Sequence, residues 1–250
     1  MITYAFLGII TLVVSGIYAS FCYVGFDPKQ LYEEYLNRKQ EGAESTQPTY
    51  FGGLMSGLSN LVIIFIVVMA SITLIKMNMV RGMPKLGEFT DIVVASLISV
   101  FLVVGLTMAA VRMLPIMGRA FENTIGYFVI DKFGGLEDNA QALFTNNSGS
   151  NIKYGVIATK MFDSGFFEFL EKMKIANTSP INGIYLKKDV LEFDGKLKTA
   201  PEDENPVYQF FKKVALKHSI SEATWISLAT VVSLFSGFIM IQYSGIRKKL

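Results

Sequence analysis

Two apolar runs decide the fold of this chain: NLVIIFIVVMASITLI at residues 60–75 and DIVVASLISVFLVVGLTMAAV at residues 91–111. Neither run contains Lys, Arg or Glu, and the only acid is Asp91, which begins the second run. A bilayer core about 30 Å thick requires about 20 apolar residues in a helix, so the second run is long enough to span it. The first is long enough once the upstream MSGLS is counted. The short basic turn between the runs indicates that the two helices are antiparallel neighbours.

Two further uncharged runs lie towards the ends of the chain. Residues 2–26 predict a retained membrane helix rather than a signal peptide, because there is no basic n-region and the apolar stretch exceeds a signal peptide's short apolar core. Residues 223–246 predict the last membrane helix, which begins at a capping box formed by Ser219 and Glu222.

Composition agrees with a membrane protein. The 250 residues are 51% hydrophobic and 18% charged, whereas soluble domains have about 25% charged residues. The net charge of +2 gives no support to nucleic-acid binding. A single cysteine, Cys22, excludes an internal disulfide, and a single histidine, His218, excludes most histidine-based catalysis and metal binding.

These patterns predict a membrane protein, mainly α, with four transmembrane helices and a small α+β soluble domain inserted between helices 3 and 4. The predicted boundaries are 1–26 for transmembrane helix 1, 27–52 for an exposed loop with a short helix, 53–77 for transmembrane helix 2, 89–112 for transmembrane helix 3, 113–135 for an amphipathic interfacial segment, 136–218 for the soluble domain, 222–246 for transmembrane helix 4 and 247–250 for a basic tail.

The two exposed regions have recognisable local signals. Asp27 and Pro28 predict the start of a short helix, whose apolar stripe suits a membrane or a partner, although a solvated linker helix fits equally well. In the soluble domain, residues 151–162 predict one or two strands, and residues 166–175 predict a short helix. Asp194-Gly195 predicts a hairpin, Asn205 and Pro206 predict a helix start, and His218 lies at that helix's end.

The segment after the third membrane helix predicts an interfacial element. Pro115 is expected to kink or end the helix, which brings Arg112 and Arg119 to headgroup depth. Glu122 lies three residues after Arg119, within pairing distance on a helix. Apolar residues recur at helical spacing and predict an amphipathic segment that lies in the interface or packs on the bundle: Phe121, Ile125, Phe128 and Val129.

Residues 119–133, RAFENTIGYFVIDKF, resemble segments in membrane proteins of large nucleocytoplasmic DNA viruses such as the chlorella-virus group. The resemblance implies a multipass protein of the internal virion membrane, derived from host endoplasmic reticulum, beneath an icosahedral capsid. It also implies structural roles for Arg119, Glu122, Asn123 and Gly126. It covers a short part of the chain and contains no catalytic signature.

Charge predicts the topology. Four crossings place both termini and the turn at 76–88 on one side, which carries Lys76, Arg81 and Lys85 together with the basic tail. The positive-inside rule makes that side cytosolic and the large loop lumenal or extracellular. The sequons at Asn146 and Asn177 then fall on the glycosylated side.

No enzyme, cofactor or metal signature is present, and no membrane run has a central ionisable residue. The leading interpretation is a structural protein whose partners are the lipid bilayer and other membrane or capsid proteins. Two alternatives stay open: an oligomeric channel or transporter-like subunit, including a homo-oligomer, with Asn60 and Thr107 on a polar path, and an accessory subunit of an organellar membrane complex. A tetraspanin-like organiser is disfavoured, because the large loop has no cysteine.

Overall fold

The computed structural model describes residues 27–40, 89–146, 154–163, 165–174, 179–181, 183–190 and 205–247, together with positions 13, 16, 62, 66, 69, 70, 72–74, 76 and 77. Several sequence predictions therefore lie outside the described residues. These are most of transmembrane helices 1 and 2, the hairpin at Asp194-Gly195, the sequon at Asn177 and the end of the basic tail.

The described chain is mostly helical. Its elements in order are α1 Pro28–Gln40, α2 Phe89–Ser99, the π-helix π1 Val100–Gly105, α3 Leu106–Met113, α4 Pro115–Arg119, the π-helix π2 Glu122–Gly126, α5 Tyr127–Gly134, α6 Leu136–Leu143, β1 Phe144–Asn146, α7 Tyr154–Asp163, α8 Phe166–Lys172, β2 Ile184–Leu186, a 3-10 turn Lys188–Val190 and α9 Pro206–Arg247. The sheet is one antiparallel pair, in which Phe144 faces Leu186 and Asn146 faces Ile184.

The chain divides into two compact units. Unit 1 contains residues 1–22, 54–118 and 221–250, and unit 2 contains residues 23–53 and 119–220. The loop that the sequence placed between the first two membrane helices therefore belongs to the same unit as the large loop.

Two described helices, Thr90–Val111 and Pro206–Tyr243, are long and apolar enough to cross a membrane. Their most apolar 18-residue stretches have mean hydropathies of 2.6 and 1.9, respectively. They correspond to the predicted helices 3 and 4. The first of them ends just before Pro115, as the sequence predicted. Helix α3 stops at Met113, Leu114 is extended and Pro115 begins α4.

Unit 2 is built on an aromatic core. In α8, Phe166 and Phe167 are buried, as the predicted short helix required. Phe211 of α9 meets both of them, with ring centroids 4.9 Å from Phe166 and 5.8 Å from Phe167. The start of α9 is also as predicted, because the Asn205 side chain accepts a hydrogen bond from the Val207 backbone N–H at 2.9 Å.

Helix α1 packs on this core. Asp27 caps it by accepting from the Lys29 backbone N–H at 2.9 Å, as the sequence predicted. The ring of Tyr32 lies 5.1 Å from that of Phe167, and Lys39 pairs with Glu171. The apolar stripe of α1 is therefore covered by unit 2 of the same chain.

Residues 154–162 differ from their predicted conformation, because they form α7 rather than strands. The β-branched Val156 and Ile157 favoured a strand. Their burial follows a helical period instead, since Tyr154, Ile157, Ala158, Met161 and Phe162 are all buried. With only two three-residue strands, unit 2 as described is more helical than the predicted α+β domain.

The expected break between two helices near Ser219 is also absent, because α9 runs without interruption from Pro206 to Arg247. The Ser219 hydroxyl donates to the Ala215 carbonyl at 3.0 Å, one turn earlier. A serine can make this bond inside a helix as readily as it can cap one, which is why the capping-box pattern was misleading. His218 accordingly lies inside α9 rather than at its end.

Candidate functional site

Lys217 of α9 is the centre of a buried polar cluster in unit 2. It is 1% exposed, yet its ammonium donates to Asn123 Oδ1 at 3.0 Å and to the Gly155 carbonyl at 2.6 Å. It also contacts Thr159 Oγ1, at 2.5 Å. An ammonium has three donors, so these three acceptors satisfy it and compensate for its removal from water.

The cluster joins three elements, since Asn123 belongs to π2, Thr159 to α7 and Lys217 to α9. The Thr159 hydroxyl lies 3.0 Å from Asn123 Oδ1, which links π2 to α7 directly. A π-helical turn is rare and often marks a functional position. Here π2 places the Asn123 amide where it reaches both neighbouring helices.

Glu122 is held by the chain's only histidine. Glu122 is 1% exposed, and its carboxylate contacts Nδ1 of His218. The imidazole lies against Phe162, with ring centroids 4.4 Å apart. The sequence placed Glu122 within pairing distance of Arg119 at headgroup depth. In the structure Glu122 is buried against α9, and Arg119 is exposed.

Gly126 permits a close approach of two backbones. A Cβ at this position would lie 2.8 Å from the Lys217 carbonyl oxygen, closer than side chains tolerate. Gly126 is buried at the end of π2, so its missing side chain lets that turn pack directly on α9. This geometry agrees with a structural role for Gly126.

The corner beside α7 is formed by aromatic residues. A side chain at Gly155 would clash with the ring of Tyr127, so α7 packs closely on the start of α5. The Tyr127 hydroxyl donates to Glu137 at 3.2 Å. Burial raises the pKa of Tyr154, and the Glu137 carboxylate raises that pKa further, so the Tyr154 phenol stays protonated at neutral pH.

The structure brings together some of the residues predicted for the 113–135 segment and separates others. Glu122, Asn123 and Gly126 meet α9, Phe121 is half-buried, and Phe128 is 59% exposed. Arg112 lies in α3 and Pro115 begins α4. Sequence reasoning missed Thr159, Lys217 and His218. A signal for Lys217 was available, because it falls on the stripe of α9 that Phe210 and Val214 bury.

Unit 1 contains a second buried lysine, Lys76. It is 0% exposed, and its ammonium donates to Ser99 Oγ at 3.0 Å. The Ser233 hydroxyl lies 3.3 Å from the same Ser99 oxygen. A side chain at Gly237 would occupy the place of the lysine's end. The charge pattern predicted that Lys76 belongs to the aqueous turn, whereas the structure places it in a helix among small residues.

The polar contacts of Lys76 differ from those of Lys217. Within the described part of the chain, Ser99 Oγ is the acceptor for the Lys76 ammonium and no carboxylate forms an ion pair with it. Lys217 has three acceptors. Ser99 immediately precedes π1, so each buried lysine contacts a residue in or next to a π-helical segment.

Of the two predicted glycosylation sites, Asn146 ends β1 and pairs with Ile184 through the backbone. Asn177 lies outside the described residues.

Comparisons with protein-family models, with curated proteins and with solved structures gave no match for this chain. The viral resemblance of residues 119–133 therefore stays a prediction.

Proposed function

We propose that this chain is a structural multipass membrane protein, in which unit 1 crosses the bilayer and presents unit 2 to partner proteins. The observation that carries the proposal is the distribution of side chains among the described residues of unit 1. Many large apolar side chains are exposed there, whereas several polar side chains are buried. The buried polar residues include Lys76, Ser96, Ser99, Thr230 and Ser233.

The helix Thr90–Val111 illustrates this distribution. One face buries Ile92, Val100 and Val104, and the opposite face is just as apolar although it is exposed. A helix that is apolar all round fits either a large protein core or a membrane. The exposed side chains favour the membrane, because water would be a poor solvent for so large an apolar surface. They are Val94, Leu97, Ile98, Phe101, Leu102 and Leu106 from this helix, and Leu228, Val232, Phe235, Ile239 and Met240 from α9.

The chain segments that form unit 2 support the proposed topology. Helix α1 and residues 119–220 belong to one compact unit, so both predicted loops would lie on the same side of the membrane. An odd number of predicted crossings separates these loops from the termini and the basic turn. The positive-inside rule then favours cytosolic termini, as the sequence analysis predicted.

The resemblance of residues 119–133 suggests the class of partner. In the viral version of the proposal, unit 2 joins the internal lipid layer of a virion to the overlying capsid shell. In a cellular version, unit 2 would contact other subunits of an organellar membrane complex. In both versions unit 2 binds partner proteins, and unit 1 anchors unit 2 at the membrane.

The proposal is tested by membrane extraction and by site-specific crosslinking. The protein should remain in the membrane pellet at high pH and dissolve in detergent. A photo-crosslinking residue at the exposed Asn37 or Lys188 of unit 2 should yield a shared protein adduct in native membranes. The same residue at Phe101, which is 61% exposed in unit 1, should yield lipid adducts. Extraction at high pH, or the absence of any protein adduct from unit 2, would contradict the proposal.

A second function, that of a channel or transporter-like subunit, is favoured by Lys76. Ionisable residues inside a membrane are costly and often mark a path for ions or protons. The predicted path residue Thr107 is less suited to that role, because its hydroxyl donates to Val103 of the same helix at 2.6 Å. Asn60 lies outside the described residues.

Conduction distinguishes the two functions. For a structural protein we expect no selective current from the purified protein in planar bilayers. For a transporter-like subunit, currents or ion uptake should occur and Lys76→Met should abolish them. Thr107→Val is the matched control, because it removes a hydroxyl that contacts its own helix without touching Lys76. A current that both variants leave unchanged would exclude Lys76 as the path.

A further inference from the structure

The exposed apolar side chains of unit 2 are concentrated in one region. Within its described part, the large exposed hydrophobics are Ile125, Phe128, Phe133 and Val156. The first three lie within nine consecutive residues, and Phe128 and Phe133 are 59% and 83% exposed. The fourth, Val156, follows Gly155, which packs on the ring of Tyr127.

Basic residues accompany these aromatics. Lys132 is exposed on α5 between Phe128 and Phe133, and Arg119 is exposed shortly before π2. Aromatic and aliphatic side chains next to lysine or arginine are typical of surfaces that lie in the headgroup layer. There the rings reach the acyl boundary, and the cations meet phosphate.

The position of this region in the chain supports the same partner. The helix Thr90–Val111 is one of the two described helices that are long and apolar enough to cross a membrane. The exposed residues immediately after it are still strongly apolar, since Met113 is 75% and Ile116 is 77% exposed. Pro115 starts a new helix there, four residues before unit 2 begins. The bilayer that this helix is proposed to cross is therefore the apolar surface closest, along the chain, to Phe128 and Phe133.

We infer that Ile125, Phe128 and Phe133 form a lipid-contacting face of unit 2, which rests in the headgroup layer of the bilayer that unit 1 crosses. The inference depends on the proposed function and deepens it, because it gives unit 2 a second attachment to the membrane. Two phenylalanine rings contribute most of this contact, since each carries about 150–250 Å² of surface. The sequence predicted an interfacial role for Phe121 as well, but that side chain is half-buried in unit 2.

The test measures depth in the bilayer at single sites. Cys22 is the only cysteine, so Cys22→Ala gives a background for Phe128→Cys and Phe133→Cys. Phe101→Cys in unit 1 and Lys188→Cys in unit 2 are controls, because both positions are exposed in the structure. Each protein is labelled with a polarity-sensitive fluorophore and reconstituted into vesicles containing lipids that carry a quencher either near the headgroup or deep in the acyl chain.

Labels at 128 and 133 should lose severalfold more fluorescence to the shallow quencher than the label at 188. The label at 101 should respond to the deep quencher. If the labels at 128 and 133 behave like the label at 188 while the label at 101 is quenched, the lipid-contacting face of unit 2 is contradicted. The proposal that unit 1 crosses the membrane is then retained. Labels shielded from aqueous quenchers but untouched by lipid quenchers would show that a protein or a second copy covers this face. A label at 101 in water would overturn both proposals.

Discussion

Lys217→Met should lower the thermal midpoint of unfolding of unit 2 by roughly 10 °C, corresponding to a loss of about 3 kcal/mol. Methionine retains most of the side-chain volume and removes the ammonium. Asn123 Oδ1 and the Gly155 carbonyl would then lose the donor they meet at 3.0 and 2.6 Å. Lys217 is 1% exposed and Gly155 is buried, so water cannot readily replace the donor that the Gly155 carbonyl loses. The measurement is thermal unfolding in detergent, with hydrogen exchange of residues 154–163 as a local readout.

Lys160→Met is the matched control for this prediction. Lys160 lies on α7 beside Thr159 but is exposed, so its replacement should change stability by less than about 0.5 kcal/mol. If Lys217→Met and Lys160→Met unfold at the same temperature, the buried cluster does not hold π2, α7 and α9 together.

Phe211→Ala should cost unit 2 about 3–5 kcal/mol, the usual range for removing a fully buried aromatic side chain. Phe211 is 0% exposed and contacts Phe166 and Phe167, so the deletion leaves a cavity between α8 and α9. The variant should express poorly or lose protease resistance in residues 154–190, which limited proteolysis measures.

Phe133→Ala provides the comparison for Phe211→Ala, since it deletes the same side chain where it is 83% exposed. Its effect on unfolding in detergent should stay within about 0.5 kcal/mol. Equal losses from the two deletions would mean that the aromatic core is assigned to the wrong residues.

Helix caps and apolar runs were predictable because their signals are local. Asp27 and Asn205 cap the helices that they were expected to cap, and Pro115 interrupts the helix that it was expected to interrupt. The run at 91–111 became a continuous apolar helix in the structure. Each of these features depends on a few neighbouring residues, which the sequence shows directly.

The buried clusters were not predictable in the same way, because they join residues far apart in the chain. Lys217 meets Asn123 and Thr159, and Lys76 meets Ser99. Charged residues are usually exposed, so the sequence alone favours a water-exposed position for each lysine. Ser233 and Gly237 are small residues, and the sequence does not indicate that they lie close to a lysine. The sequence did not indicate that α9 is continuous, because the pattern of Ser219 and Glu222 fits both a helix start and a helix interior.

In the proposed topology, unit 1 spans the membrane and both intervening loops form unit 2 on one side of it. An impermeant thiol reagent applied to sealed, oriented vesicles tests this most directly. The single cysteines are Asn37→Cys, Lys188→Cys and Lys249→Cys in the Cys22→Ala background. We expect positions 37 and 188 to react from the same side, and position 249 to react only after the vesicles are opened to the other side. Reaction of 37 and 188 from opposite sides, or of 249 together with them, would contradict it.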